Sequence, residues 1–168
     1  MPITDKFFAI NIRKYLALGD DHEAGESALI QLLSGFSCPK NPDVEHFLKK
    51  NAIEFTKKNQ SVTYLVFSKD NGEMLGYFTL ALKPLTIRGE TVSNTTKRKL
   101  LRVSELDVKS DTYTMSAYLI AQLGKNYADG RNREIAGKEL IELAWMIIEK
   151  TQYMFGGMVT FLEAEKEE

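Results

Sequence analysis

Between Ser116 and Thr151 the chain changes its hydrophobic period, and no other feature constrains the fold as strongly. Ser116–Leu123 carries Tyr118, Leu119, Ile120 and Leu123 in a short apolar run, which reads as a buried strand. Asn126–Glu134 is polar, charged and glycine-bearing, so it reads as a loop. From Ala136 onward the apolar residues recur at Leu140, Leu143, Ala144, Ile147 and Ile148, along one face of a helix. The first N–H groups of a helix have no partner inside it, and the helix dipole adds positive potential there. A polar loop that opens a helix after a strand is therefore a candidate phosphate site. Arg131, Arg133 and Lys138 would add charge, and Gly137 would let a ligand approach the backbone. The same residues also suit an ordinary strand–loop–helix unit with solvated charges.

The 168 residues suffice for one domain with a real core. With 43% hydrophobic and 27% charged residues, the composition is that of a soluble globular protein. The net charge of -1 leaves no global basic excess to point at nucleic acid. No apolar run approaches the roughly 20 residues that span a bilayer, so no membrane association is expected. The opening MPITDKFFAI lacks a basic segment followed by a long apolar core, so no secretory signal is expected and the expected compartment is the cytoplasm. Cys38 alone cannot close an internal disulfide. Together with His22 and His46 it forms no metal-ligand spacing, so no metal is expected.

Lys6–Tyr15 alternates in part and predicts a first strand, broken by Gly19, Asp20 and Asp21. Glu23–Leu33 predicts a helix with Leu29, Leu32, Leu33 and Phe36 on its apolar side and Asp20 or Asp21 as its cap. Gly35–Lys40 reads as a turn. Asn41-Pro42 then starts a second helix, a capping side chain followed by proline at the first helical position. That helix runs to about Lys58 on a stripe of Val44, Phe47, Leu48, Ala52 and Phe55. Its lysines (Lys49, Lys50, Lys57, Lys58) read as solvated, with steering of an anionic ligand as the alternative.

Ser61–Ser68 is rich in β-branched and aromatic residues and predicts a strand. Asn71-Gly72 favours the turn geometry that joins antiparallel strands. Glu73–Leu82 is apolar on both faces and should lie centrally, with Pro84 ending or bending it. Arg88–Asp111 reads as the least regular stretch. Its cluster of Lys97, Arg98, Lys99 and Arg102 suits a solvated loop or contact with RNA or a nucleotide phosphate. Gly156-Gly157 should terminate the long helix, followed by a strand over Met158–Leu162 and a frayed charged tail. A hairpin followed by one right-handed crossover predicts an α/β (α+β) protein. Its central sheet should be mixed and mostly antiparallel, with helices on both faces. One domain over residues 1–168 is expected, ending shortly after the fifth strand.

This order and several local phrases resemble the GNAT acetyltransferases, which have the acyl-CoA N-acyltransferase fold, from about residue 5 to 165. Gly35-Phe36-Ser37-Cys38 followed by Val44-Glu45-His46-Phe47-Leu48 is similar to the start of the second helix in a prokaryotic branch. That branch includes the acetyltransferase toxins of toxin–antitoxin pairs. The hairpin SVTYLVFSKDNGEMLGYFTLAL resembles the family's second and third strands. Ala121–Lys125 resembles the strand that pairs with the pantetheine arm, and Arg131–Lys138 the pyrophosphate loop. The family pattern there is Gln/Arg-x-x-Gly-x-Gly/Ala. Aligned on Gly137, this chain has Asn132 at the first position and Ile135 at the first glycine. The usual fold continues past the fifth strand with a helix and two strands, a region that often holds the tyrosine general acid.

The resemblance implies an acyl-CoA-dependent N-acetyltransferase, in which an amine attacks acetyl-CoA directly. The acceptor is left open: a small amine, an antibiotic, a protein terminus or, in the toxin reading, an aminoacyl-tRNA. Cofactor-binding candidates are Leu123 and Lys125 on the strand and Arg131, Asn132, Arg133, Glu134, Ile135, Ala136, Gly137 and Lys138 in the loop and first helical turn. Glu163 and Tyr127 are the catalytic candidates, with Glu105 and Asp107 as further bases. Packing is the alternative for Tyr127 and Tyr118, and the expected role for Cys38 and Trp145. A homodimer or partner should cover the edge of the fifth strand, and a small antitoxin repressor is the partner in the toxin reading. Two other readings stay open: a non-catalytic protein acting through CoA or a protein partner, and an unrelated α/β protein holding another phosphate ligand.

Overall fold

The computed structural model describes residues 1–18 and 22–163. In chain order the strands are β1 (Phe7–Asn11), β2 (Val62–Ser68), β3 (Met74–Arg88), β4 (Glu105–Asp107), β5 (Thr112–Lys125) and β6 (Val159–Leu162). The helices are α1 (Ile3–Lys6), α2 (Arg13–Leu16), α3 (His22–Ser34), α4 (Pro42–His46), α5 (Ala52–Lys57), α6 (Asn94–Leu100) and α7 (Gly137–Phe155). A π-helical stretch, Phe47–Asn51, joins α4 to α5 as one helical run. The break expected at Gly19–Asp21, the cap at Asp20 or Asp21 and the tail beyond Glu163 lie outside the described residues. No described helix is long and apolar enough to cross a membrane.

The sheet grows from the β2–β3 hairpin. Gly72 has φ 73°, and Ser68 N–H donates to Glu73 O at 3.0 Å across the turn. β1 pairs antiparallel with β2, and β5 pairs antiparallel with β3 along its whole length. The other edge of β5 carries two short neighbours. β4 lies antiparallel beside Thr112–Thr114, and β6 lies parallel beside Ala117–Ile120. The β5–α7–β6 crossover supplies the one parallel pair among the described residues, so the sheet is mixed and mostly antiparallel.

Alternation along the strands sends side chains to two separate cores. Leu65, Phe67 and Tyr77 face Leu29, Leu33, Leu48 and Ala52 of the α3 and α4–α5 layer. Val66, Leu75 and Phe78 face Leu140, Leu143, Ala144 and Ile148 of α7. The two helical layers cover opposite faces of the sheet. Asn41 caps α4 by accepting from Val44 N–H at 3.3 Å, with Pro42 behind it. Buried Tyr77 donates to Val44 O at 2.6 Å and pins this helix to the sheet. Of the helix lysines, Lys49, Lys57 and Lys58 are tied to Glu45, Glu26 and Glu54.

Three expectations change. The first strand ends at Asn11 rather than Tyr15. Ile12 N–H still donates to Thr63 O at 3.0 Å, but Ile12 itself turns into the αR region and Arg13–Leu16 coils into α2, so the ladder is left at Asn11 although Thr63 and Val62 continue β2. Pro84 does not end β3, which runs on to Arg88. β2 stops opposite Leu80, so position 84 is an edge position on that side, where proline is tolerated. The stretch Arg88–Asp111 is ordered: α6 and β4 close on a small third core of Leu100, Tyr113 and Met115.

Candidate active site

β6 follows β5 only from Ala117–Val159 to Ile120–Leu162, whereas β5 continues to Lys125. From Ala121 onward the outer edge of β5 therefore has no ladder partner among the described residues. A bulge falls at the same point. Thr79 pairs with Gln122 and Leu80 with Ile120, which leaves Ala121 as the extra residue. The bulge shifts the pleat by one, so both Ile120 and Leu123 reach the core under α7. On the opposite face, Gly124 makes room for α4. A Cβ there would stand 2.3 Å from Val44 Cγ1.

The loop after β5 is clamped by Asn126, which is fully buried. Its Oδ1 accepts from the N–H groups of Ser37 and Ala128, each at 3.1 Å. Its Nδ2 donates to Met74 O at 2.9 Å, and its own N–H donates to Leu75 O at 2.8 Å. Tyr127 N–H donates to Ser37 O at 2.7 Å, and Lys40 and Lys125 place their ammonium groups 5.6 and 6.0 Å from its ring centroid. Asp129 (φ 53°) and Gly130 (φ 76°) then turn the chain back toward the sheet. Lys125 Nζ donates to Asn132 O at 3.0 Å. Arg131 lies 2.6 Å from Glu73 and 3.5 Å from Asp129, and Glu134 accepts from Asn71 Nδ2 at 3.2 Å.

Ile135, where the family pattern has glycine, is 2% exposed and points into the core beneath α7. Its side chain anchors the loop from below and leaves the outer side clear. Ala136 precedes α7, and its N–H donates to the Glu139 carboxylate at 2.8 Å. The N–H groups of Gly137 and Lys138 have no acceptor within the helix. A Cβ on Gly137 would meet nothing within 4 Å, so the space beside this residue is open. Arg133 and Lys138 are exposed beside it and form no ion pair among the described residues. The donor set suits a diphosphate: two helix N–H groups in positive helix-end potential, with two free cations at the rim.

Glu163 is exposed and follows β6 directly, at the mouth of the open edge. Glu105 and Asp107 sit on β4, opposite Thr114 and Thr112, so the register holds them at the far end of β5. The Asp107 carboxyl is held below its ordinary pKa by hydrogen bonds from Ser110 and from Lys109 N–H, which stabilise a turn. Tyr118 donates to Gly156 O at 2.5 Å and closes the end of α7. Cys38 is buried, and burial pushes its thiol pKa up. Its N–H donates to Glu45 at 2.7 Å, a structural contact. Trp145 lies on the outer surface of α7 and donates to Glu149 at 2.9 Å. Asn126 is the residue that sequence reasoning missed. An asparagine directly after an apolar strand run carries no periodic signal for the three segments it joins.

A mixed sheet whose β5–β6 parallel pair ends at Ile120–Leu162, next to a bulge between β3 and β5 and beside an open helix start, matches the acyl-CoA N-acyltransferase architecture, and the chain has the GNAT fold. Solved structures align with it over most of its length. A tyrosine-to-phenylalanine variant of KacT is 17% identical with a TM-score of 0.65, covering 96% of this chain and 80% of that one. AtaT complexed with acetyl-methionyl-tRNAfMet is 15% identical with a TM-score of 0.60, covering 96% and 79%. AtaTR bound with AcCoA is 15% identical with a TM-score of 0.54, covering 96% and 77%. No protein-family model and no curated protein matches the sequence. At these identities the likeness establishes the fold.

Replacing Asn126 by alanine strands two N–H groups and one carbonyl in a buried site, and each costs on the order of 1–3 kcal/mol. Asn126→Ala is expected to lower unfolding stability by about 3 kcal/mol in urea denaturation. A loss below about 1 kcal/mol would show that the clamp is dispensable.

Proposed function

We infer that this chain is an acyl-CoA-dependent N-acetyltransferase that carries an acetyl group from acetyl-CoA to an amine. One observation supports the reading above the rest: the edge of β5 opens at the Ala121 bulge, immediately beside the unpartnered N-terminus of α7. A cosubstrate with a diphosphate at one end and an amide-bearing arm at the other fits both features together. Gly137 and Lys138 N–H, with Arg133 and Lys138 side chains, would hold the diphosphate. Backbone groups of Ala121–Lys125 would pair with the arm as a strand edge does.

Acetyl-CoA, when bound, supplies a thioester that an amine attacks, so that a C–N bond forms and the C–S bond breaks. This chain's part is to hold the reactants together and out of water, which accounts for most of the rate in such a transfer. A backbone N–H near Leu123 on the open edge would face negative charge as it develops on the acetyl oxygen. Glu163, at the mouth of the edge, is the group to take the proton from the attacking amine, directly or through water. Tyr127 serves better as loop anchor than as acid, since its ring is held by Lys40 and Lys125. The complex of AtaT with acetyl-methionyl-tRNAfMet favours an aminoacyl-tRNA as the amine. AtaT bound to the C-terminus of the antitoxin AtaR favours a small antitoxin as a partner.

A second copy of the chain would complete the sheet. Among the described residues the outer edge of β6 is unpaired, and Tyr153, Met154 and Phe155 at the end of α7 and Met158 just before β6 stand exposed. Light scattering is expected to give the mass of a dimer, and a clean monomer at micromolar concentration would contradict this. Calorimetric titration is expected to give saturable binding of acetyl-CoA, weakened at least about tenfold in an Arg133→Ala, Lys138→Ala double variant. Binding unaffected by the double variant would remove the diphosphate from this helix start. Binding without turnover of any amine would favour the non-catalytic reading.

A further inference from the structure

The segment between Lys83 and Asp111 differs in charge from the rest of the protein. It holds seven cations and four anions, an excess of three, in a chain whose net charge is -1. The fold presents this charge on a rigid element. Ser93 caps α6, accepting from Thr96 N–H at 3.2 Å, and Leu100 seats it on Tyr113 and Met115. Lys97 turns inward to Asp111, at 3.5 Å. Arg98, Lys99 and Arg102 face solvent and form no ion pair among the described residues. Arg98 lies on α6 and Arg102 in the turn that follows it, both exposed.

α6 leads directly into β4, which places this charge along one edge of the sheet. β4 borders Thr112–Thr114 and β6 borders Ala117–Ile120 on the same edge of β5, and the edge opens at Ala121. A groove of about 680 Å³ lies beside the segment that follows α6, between β4 and β6, lined by Arg102, Ser104, Ser116 and Val159, with the Glu105 carboxylate at its β4 side. The basic helix, the groove and the open edge thus follow one another along one strand. At the usual strand rise, Thr114 and Ala121 are about 23 Å apart.

We propose that α6 and its groove form a docking site for the phosphate backbone of an RNA acceptor, whose reactive end reaches the open edge at Ala121. Solvent-facing guanidinium groups suit phosphodiesters, and phosphate contacts position a polymer without reading its sequence. The proposal rests on the transferase reading for what the RNA brings to the edge, but its binding test does not.

The test uses the full chain and a fluorescently labelled, unacylated tRNA transcript, with anisotropy measured across a range of salt. Binding is expected to weaken with salt. In an Arg98→Ala, Lys99→Ala, Arg102→Ala variant it should weaken at least about tenfold, with the logarithmic salt slope reduced by roughly two to three. Thermal unfolding and acetyl-CoA calorimetry on the same variant are expected to match the unsubstituted chain, since the three side chains touch neither core nor loop. Equal tRNA affinity in the variant would overturn the proposal, as would absence of tRNA binding by the unsubstituted chain. Poly-glutamate bound as tightly as tRNA would also overturn it, in favour of an acidic protein. If acetyl-CoA fails to bind but tRNA binding is lost in the variant, the docking site stands and the transferase reading falls.

Discussion

The amide of Asn126 joins three segments that are far apart in the chain: the end of β5, the start of β3 and the turn through Ser37. Being fully buried, it must satisfy every polar atom within the protein, so its hydrogen bonds act as geometric constraints rather than interchangeable contacts. The loop leaves β5 in one direction only because this clamp holds it. From there Asp129 and Gly130 reverse the chain and Ile135 anchors it beneath α7. The helix start is consequently delivered beside the strand edge, with Gly137 toward open space. The candidate site is thus a consequence of where a buried amide is satisfied.

The same arrangement explains why the edge remains open. The bulge at Ala121 re-aims β5 toward the α7 core just where β6 gives out at Leu162. Pairing β6 further along would require it to follow a strand that has changed its pleat. On the other face, Gly124 admits Val44 so closely that α4 could not lie there over any larger residue. Helices on both sides therefore depend on the local path of β5. In the loop, Arg131 is taken up by Glu73, so the charge available to a ligand comes from Arg133 and Lys138. A proximity count along the sequence would not have separated these three cations.

Elements governed by local chemistry were legible in the sequence: the β-branched β2, the turn at Gly72, the Asn41 cap and Pro42, the amphipathic α7 and its glycine terminator. So was the position of the polar loop before α7, because its polar run interrupts two apolar periods. The bulge also left a trace. Tyr118, Ile120 and Leu123 share one core although the last breaks the alternation of two. What escaped depended on distant partners. β1 ends where Ile12 turns into α2 while still bonded to Thr63 O, and β3 passes Pro84 because β2 has already stopped. Glu105 and Asp107 left the site because register, not spacing, places β4 at the far end of β5. Asn126 and the Glu73–Arg131 pair join residues more than fifty positions apart, where no periodicity reaches.

The central claim is that one ligand spans the open edge of β5 and the start of α7. Amide hydrogen exchange with and without acetyl-CoA tests it most directly, since it reads the backbone groups themselves. The account predicts added protection in two places, Ala121–Lys125 and the first turn of α7, saturating together as acetyl-CoA is added. Protection confined to one of them, or lying in the α3 and α4–α5 layer instead, would contradict it.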